Sequence, residues 1–158
     1  MKADIGITDA NTQTVALFLN QYLSDVHVLY IKIRNYHWNI EGSNFIAMHR
    51  FYETLYLEMA EVIDELAERI RKIGHFAEGR LSDFIRLTNL LEGEYSNDQQ
   101  VQLGNLLSDY ETIIRILRKQ IPLMNDEYRD FGTADLLTSH LRFHESSAWK
   151  VRALLNGK

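Results

Sequence analysis

Two histidines and three carboxylates stand at regular intervals within one third of this sequence. His37 and His49 bracket a short stretch rich in turn-forming residues, and Glu53, Asp64 and Glu68 follow it. Imidazole nitrogens and carboxylate oxygens are the usual protein ligands of iron, manganese and zinc. The pattern therefore indicates a transition-metal site, provided that the fold brings these side chains together.

The segments that carry these residues have the periodicity of long helices. Apolar residues recur every three or four positions through residues 15–36, 48–70, 101–124 and 137–155, which is the spacing of one helical face. Helices are predicted from about 9 to 39, 45 to 73, 101 to 124 and 133 to 155, with a short helix within 82–91. Four long helices and one longer central connection predict an all-α four-helix bundle, with residues 1–158 as a single domain.

The composition excludes several other classes of protein. The 158 residues include no cysteine, so the chain can form neither a disulfide nor a thiolate metal site. The formal net charge is -5, and neither tail carries a basic run, so we expect weak or absent DNA binding. No signal peptide and no apolar run of roughly 20 residues is visible. We therefore expect a cytoplasmic protein without a membrane partner.

The candidate ligands of the second helix share a face that points away from its apolar stripe. With His49 at the origin and about 100° per residue, Glu53, Asp64 and Glu68 fall within the next 100° or so. The apolar stripe lies between about 220° and 320°. It comprises Met48, Leu55, Met59, Val62, Ile63, Leu66 and Ile70. A conventional ferritin or bacterioferritin instead uses Glu-x-x-His pairs in the bundle core, and this sequence contains none.

The two halves of this face are too far apart to bind one ion. His49 and Glu53 form one i, i+4 pair and Asp64 and Glu68 another, with centres roughly 22 Å apart at 1.5 Å per residue. Two chains can bind it together. If two copies of the helix pack antiparallel about a two-fold axis, His49 and Glu53 of one chain lie beside Asp64 and Glu68 of the other. Ala60, near the middle, is small enough for close approach. His37 would add a nitrogen from the first helix.

These same stretches resemble the Dps family, the miniferritins named for DNA protection during starvation. The resemblance rests on "HWNIEGSNFIAMH" at residues 37–49 and "DELAERI" at 64–70, and it extends over essentially the whole chain, including Trp149 in the last helix. It implies a ferritin-like bundle, with a short extra helix between the second and third helices, that assembles into a hollow shell of twelve identical subunits.

The resemblance also implies an activity. Such a shell oxidises Fe(II), preferably with hydrogen peroxide, at ferroxidase sites between two-fold-related subunits, and it stores the ferric mineral and so protects against oxidative damage. The ligands would be His37 and His49 of one subunit with Asp64 and Glu68 of its partner. Position 53 is usually aspartate in the family, so the longer Glu53 binds the second iron either directly or through water.

Further residues have roles that the resemblance suggests. Trp38 would act as an electron relay or merely as a packing aromatic. Acidic pores near the start of the last helix would admit iron past Asp130, Asp135 and Glu145. Carboxylates on another face of the second helix would nucleate mineral or simply be solvated, and these are Glu58, Glu61 and Glu65.

Three alternatives stay open at this stage. A Dps-type protein can act mainly by nonspecific DNA binding, and a helical oligomer can be purely structural. His140 and His144 form a further i, i+4 pair, which would either bind a metal or occupy polar positions of an amphipathic helix.

Overall fold

A computed structural model describes residues 3–156 of the chain, and within that range the chain forms five α-helices. They are α1 (Asp9–Asn39), α2 (Phe45–Lys72), α3 (Leu81–Leu87), α4 (Gln99–Asp126) and α5 (Phe131–Asn156). The four long helices match the predicted positions to within a few residues. The short helix α3 is confined to the first part of its predicted range, and α4 continues through Pro122. None of the helices in residues 3–156 has the length and apolar character needed to cross a bilayer.

The long helices close into a four-helix bundle. α1 packs along α2 and α4 along α5, while α1 also contacts α4 and α2 contacts α5. Leucine, isoleucine, valine and methionine side chains fill the space between them. Each such side chain, when fully buried, contributes about 1.5–3 kcal/mol. The predicted bundle is therefore confirmed.

The apolar stripe of α2 is buried as its periodicity predicted. Met48, Leu55 and Met59 are at most 3% exposed, and the remainder of the stripe is buried apart from the half-buried Ile63. Glu53, Asp64 and Glu68 are exposed. The carboxylates thus lie on a face that the chain itself leaves uncovered.

A buried carboxylate anchors the connection between α2 and α4. Asp25 of α1 accepts hydrogen bonds from Thr88 Oγ1 at 2.8 Å, Asn89 N at 2.5 Å and Asn89 Nδ2 at 2.9 Å. Burial nevertheless raises the pKa of Asp25, although these bonds act in the opposite direction. The anchor holds α3 against α1, and the connection is ordered where it crosses the bundle.

A tight turn brings the start of α2 back beside the end of α1. Gly42 has a φ of 115°, a conformation that side chains rarely adopt, and its carbonyl oxygen accepts a hydrogen bond from Phe45 N at 3.1 Å. Glu41 N donates to Asn97 O at 3.2 Å and so ties the turn to the residues before α4. The last turn of α1 and the second turn of α2 consequently face each other.

Candidate metal centre

His37 and His49 form a stacked pair at the junction of α1 and α2. Their ring centroids are 3.7 Å apart and the ring planes differ by 20°. His37 is buried and His49 is half-buried. The tertiary structure thus joins two histidines that are twelve residues apart in the sequence.

Each histidine of this pair is held by the backbone of the other. His37 Nδ1 lies 2.7 Å from His49 O, and His49 Nδ1 lies 2.8 Å from His37 O. Because a carbonyl oxygen can only accept, both Nδ1 atoms must carry the proton. In the neutral imidazole the lone pair then belongs to Nε2. A backbone carbonyl that orients a histidine in this way is a common support of metal ligands.

The three carboxylates of α2 are exposed and differ in their surroundings. Glu53 is four residues beyond His49, and Tyr56 Oη approaches its Oε1 at 3.5 Å, a long contact. Glu68 accepts a hydrogen bond from Lys72 Nζ at 2.7 Å, and this bond lowers the pKa of Glu68. Lys72 engages only Oε2, so the other carboxylate oxygen of Glu68 has no hydrogen bond from it.

One chain does not bring these candidates together. In residues 3–156 no three histidines, aspartates or glutamates are close enough to hold a metal ion jointly. Asp64 and Glu68 lie towards the far end of α2 from His49, roughly 22 and 28 Å away at 1.5 Å per residue. The His37/His49 pair is thus one half of a possible site and the Asp64/Glu68 pair the other half.

Between the two pairs, α2 exposes apolar side chains. Leu57 is 57% exposed and Ala60 is exposed, and both point outward on the same face as the carboxylates. A separate groove of about 790 Å³ between α1 and α3 is lined by further exposed apolar side chains, including Ile31, Trp38 and Ile85. Neighbouring exposed apolar side chains are characteristic of contact surfaces.

Trp38 lies on the surface next to a cation. The guanidinium of Arg34 is 4.9 Å from the Trp38 ring and also lies over the rings of Tyr30 and Tyr56, at 5.5 and 5.9 Å. The ring of Tyr56 is in turn 5.3 Å from that of His37. Tyr56 therefore lies between His37 and the Arg34 guanidinium that contacts Trp38, and the relay role of Trp38 stays a prediction.

The residues expected at a pore differ in their availability. Asp130 is 1% exposed, pairs with the Arg69 guanidinium and accepts hydrogen bonds from Thr133 N at 2.9 Å and Thr133 Oγ1 at 2.6 Å. The expectation that Asp130 lines a pore does not fit this burial, because its carboxylate caps α5 and neutralises Arg69. Glu145 pairs with Arg118, whereas Asp135 is exposed.

The carboxylates expected to nucleate mineral lie along α2 on the side facing α5. Glu61 is exposed and Glu58 is half-buried. Glu65 accepts a hydrogen bond from His140 Nε2 at 2.8 Å while its side chain stays 60% exposed. Glu65 is therefore a surface carboxylate with one contact to the core.

His140 and His144 are not surface positions. Their exposure is 2% and 0%, and His144 Nε2 lies 2.7 Å from the hydroxyl oxygen of Tyr22. The expectation that they are polar positions of an amphipathic helix is wrong. A helical wheel would have shown it, since at about 100° per residue both fall within the stripe of Leu137, Ala148 and Val151.

Comparison with known proteins gives consistent matches over the whole chain. The family described as "Ferritin-like domain" matches residues 17–157. A low temperature-induced protein of Nostoc is 37% identical over 99% of this chain and 88% of its own length. The DNA protection during starvation protein 2 of Bacillus anthracis is 32% identical over 92% of this chain and 99% of its own.

Solved structures agree with these sequence matches. A Dps protein from Vibrio cholerae superposes with a TM-score of 0.93 at 29% identity, covering 98% of this chain and 97% of that one. Its description places it among the ferritin-like diiron-carboxylate proteins. A Dps from Mycobacterium smegmatis superposes with a TM-score of 0.91 at 29% identity, covering 99% and 96%.

Proposed function

The chain belongs to the Dps family of ferritin-like proteins, and from that membership we propose that it is a peroxide-dependent ferroxidase that stores iron. It would oxidise Fe(II), preferentially with hydrogen peroxide, at sites between two copies of the chain, and retain the Fe(III) mineral inside a shell of twelve subunits. Iron is then both substrate and cargo, and the benefit to the cytoplasm is protection against oxidative damage.

The observation that carries this proposal is the reciprocal hydrogen bonding of His37 and His49. Both rings are fixed with Nδ1 protonated, so each presents Nε2 as a donor atom for a metal. The ring of His37 is buried, that of His49 is half-buried, and their centroids are 3.7 Å apart. A shared metal-ligand role gives this stacking of two polar rings a function. The arrangement is what a ligand pair needs before the metal arrives, because no rotamer has to change at binding.

A second copy of the chain would complete the site. If two α2 helices pack antiparallel about a two-fold axis, the exposed Leu57 and Ala60 of both copies meet near the axis and exclude water there. Asp64 and Glu68 of the partner then lie opposite His37 and His49. The symmetry generates two identical sites for each pair of subunits.

The donor set suits the oxidation of iron. Carboxylates are hard, anionic ligands, and imidazole is a good ligand for iron, so the combination binds Fe(II) yet stabilises Fe(III) more. The reduction potential of the Fe(III)/Fe(II) couple therefore falls, and Fe(II) loses an electron more easily. Peroxide takes two electrons and two protons to form two waters, and two Fe(II) ions supply both electrons. The one-electron reaction that would release hydroxyl radical is thereby avoided.

Other acidic residues would serve uptake and storage. Asp135 is exposed near the start of α5 and is the pore candidate that best fits the structure, while the carboxylate of Glu145 is shared with Arg118. Glu58, Glu61 and Glu65 would attract Fe(III) on the storage surface. Glu53, next to His49 on α2, would bind the second iron directly or through water.

The test is stopped-flow oxidation of Fe(II) by hydrogen peroxide. Native protein should accelerate the reaction, and Asp64→Ala plus Glu68→Ala should remove most of that acceleration. Glu92→Ala plus Glu94→Ala is the matched control, because it also removes two exposed carboxylates from each chain but leaves α2 unchanged. Equal rates for the native protein and the Asp64/Glu68 variant would reject the proposed site.

A further inference from the structure

A second polar cluster lies in the core of the bundle, apart from the candidate metal centre. It joins Tyr22 of α1 with His140 and His144 of α5, all at most 2% exposed, and reaches Glu65 of α2 at the surface. Polar groups in an apolar core cost free energy unless they are hydrogen-bonded. Nothing in the proposed iron chemistry uses these residues.

The hydrogen bond between Tyr22 and His144 has a defined direction. Nδ1 of His144 is buried without a hydrogen-bond partner within the described residues, so only Nε2 is engaged, at 2.7 Å from the Tyr22 hydroxyl. If Nε2 donated, the Tyr22 hydroxyl hydrogen would also need an acceptor. In that case both this hydrogen and the Nδ1 lone pair of His144 would lack a partner. If Tyr22 donates, only the N–H at Nδ1 lacks a partner. The arrangement with fewer unsatisfied groups has the Tyr22 hydroxyl donating to the Nε2 lone pair of His144.

The remaining members connect this pair to the surface. His140 Nε2 lies 2.8 Å from Glu65 Oε2, and because a carboxylate accepts, His140 is the donor. The His140 ring centroid is 6.0 Å from that of Tyr22. The proposed storage surface of α2 is therefore two contacts away from the buried phenol.

We propose that Tyr22 and His144 form a buried one-electron donor that quenches the oxidising radicals formed when a single Fe(II), outside a filled two-iron site, meets peroxide. Tyr22 gives one electron to a hydroxyl radical, which becomes hydroxide, and the phenolic O–H bond breaks as its proton moves to Nε2 of His144. The products are a neutral tyrosyl radical and an imidazolium. A further Fe(II) returns the electron and becomes Fe(III), while the proton goes back to the phenol. The source of the radicals rests on the proposed function.

The hydrogen bond to His144 is what makes electron loss from Tyr22 feasible. Burial raises the pKa of Tyr22 well above its ordinary value, so tyrosinate is not available as a readily oxidised form. An oxidised phenol is a much stronger acid than an imidazolium, so even the buried ring of His144, whose pKa burial lowers, accepts its proton and the high-energy phenol radical cation is avoided. Nε2 of His144 takes that proton over a single hydrogen bond. The Glu65 carboxylate, reached through His140, partly offsets the charge of the imidazolium.

The experiment oxidises the iron-free assembled protein with a flash-excited ruthenium tris-bipyridine complex and persulfate, and reads radicals by electron paramagnetic resonance. We expect a tyrosyl signal that narrows when the tyrosines are ring-deuterated. Tyr22→Phe should remove the Tyr22 component of the signal, while the signal of exposed tyrosines such as Tyr95 remains. Tyr110→Phe, which removes an equally buried hydroxyl that has no hydrogen bond to a histidine, should retain the Tyr22 component.

A second variant keeps the phenol but replaces the base. The glutamine amide in His144→Gln can accept a hydrogen bond from Tyr22 but cannot take up its proton. His144→Gln should strongly reduce the Tyr22 component of the signal while circular dichroism shows an intact bundle. An undiminished signal in Tyr22→Phe or in His144→Gln would overturn the inference.

The same variants treated with Fe(II) and peroxide separate this inference from the proposed function. A Tyr22 radical in the flash experiment, with no effect of Asp64→Ala plus Glu68→Ala on iron oxidation, would reject the ferroxidase site and support the redox pair. Normal iron oxidation with no Tyr22 radical from either oxidant would reject the redox pair alone.

Discussion

Acid should weaken this fold through His144. The ring is completely buried, and burial, with a smaller contribution from His140, lowers the pKa of His144 to about 3, from an ordinary value of 6.5. In the unfolded chain the ring is hydrated and takes up a proton near its ordinary pKa. Between these two pKa values the unfolded state therefore binds one more proton than the folded state.

The size of the effect follows from the separation of the two pKa values. A group whose folded pKa is depressed contributes its full stability above the unfolded pKa of 6.5 and loses it as the pH falls towards 3. The loss is about 1.4 kcal/mol for each pH unit within that window. Between about pH 7 and pH 4.5, His144 alone should remove about 2.5 kcal/mol from the free energy of unfolding.

The assay is urea unfolding followed by circular dichroism at both pH values and at one protein concentration, since assembly also contributes to stability. His144→Gln replaces the titrating ring with a neutral side chain that can still accept from Tyr22. The native protein should lose about 2.5 kcal/mol more than this variant on acidification. Tyr110→Phe provides the control, because it alters the core beside His144 but removes no group that titrates between these pH values, so it should retain the native pH dependence.

A native protein and a His144→Gln variant that lose the same free energy would refute this reasoning. Such a result would mean that the ring takes up its proton in the folded state as readily as in the unfolded one, so that it must be hydrated. His140, whose pKa burial also lowers, is present in both proteins, so its own pH dependence does not produce the difference between them.

Three other predictions address assembly, the bundle and DNA. Leu57→Arg places two cations near the proposed two-fold axis, so analytical ultracentrifugation should show smaller species than the native protein does, whereas Leu17→Arg, which changes a leucine of similar exposure (63% against 57%) on α1, should not change the assembly. Asp130→Ala leaves Arg69 without its buried partner and removes the cap of α5, so the free energy of unfolding should fall by about 3 kcal/mol or more, and Asp126→Ala at an exposed position should have little effect. Because the net charge is -5, a gel-shift assay at physiological salt should show no stable complex with duplex DNA, and a complex that resists added salt would contradict this expectation.

The carboxylate face and the helices were predictable because both depend on local periodicity. The spacing of apolar residues on α2 placed Met48 to Ile70 inside and Glu53, Asp64 and Glu68 outside, and the structure confirms that division. The same spacing showed that the two pairs are too far apart along a single helix to share an ion. These conclusions need only the rise and the turn of an α-helix.

The charged residues near α5 were harder to place. The resemblance suggested Asp130 as a pore residue near the start of the last helix, but the chain folds so that Arg69 of α2 reaches it. His140 was assigned to a polar face although its position on the wheel was apolar. In both cases the partner, Arg69 or Glu65, is more than 60 residues away, and local spacing carries no information about it.

The sequence by itself determined the helices, the buried stripe and the outward direction of the candidate ligands, because each follows from the fixed geometry of one helix. Only the tertiary structure decided the protonated nitrogens of His37 and His49, the hydrogen bond between Tyr22 and His144 and the ion pair of Asp130 with Arg69. Those features depend on which atoms of distant segments come within hydrogen-bonding distance. That distance is set by the packing of helices against each other and by the turns that join them.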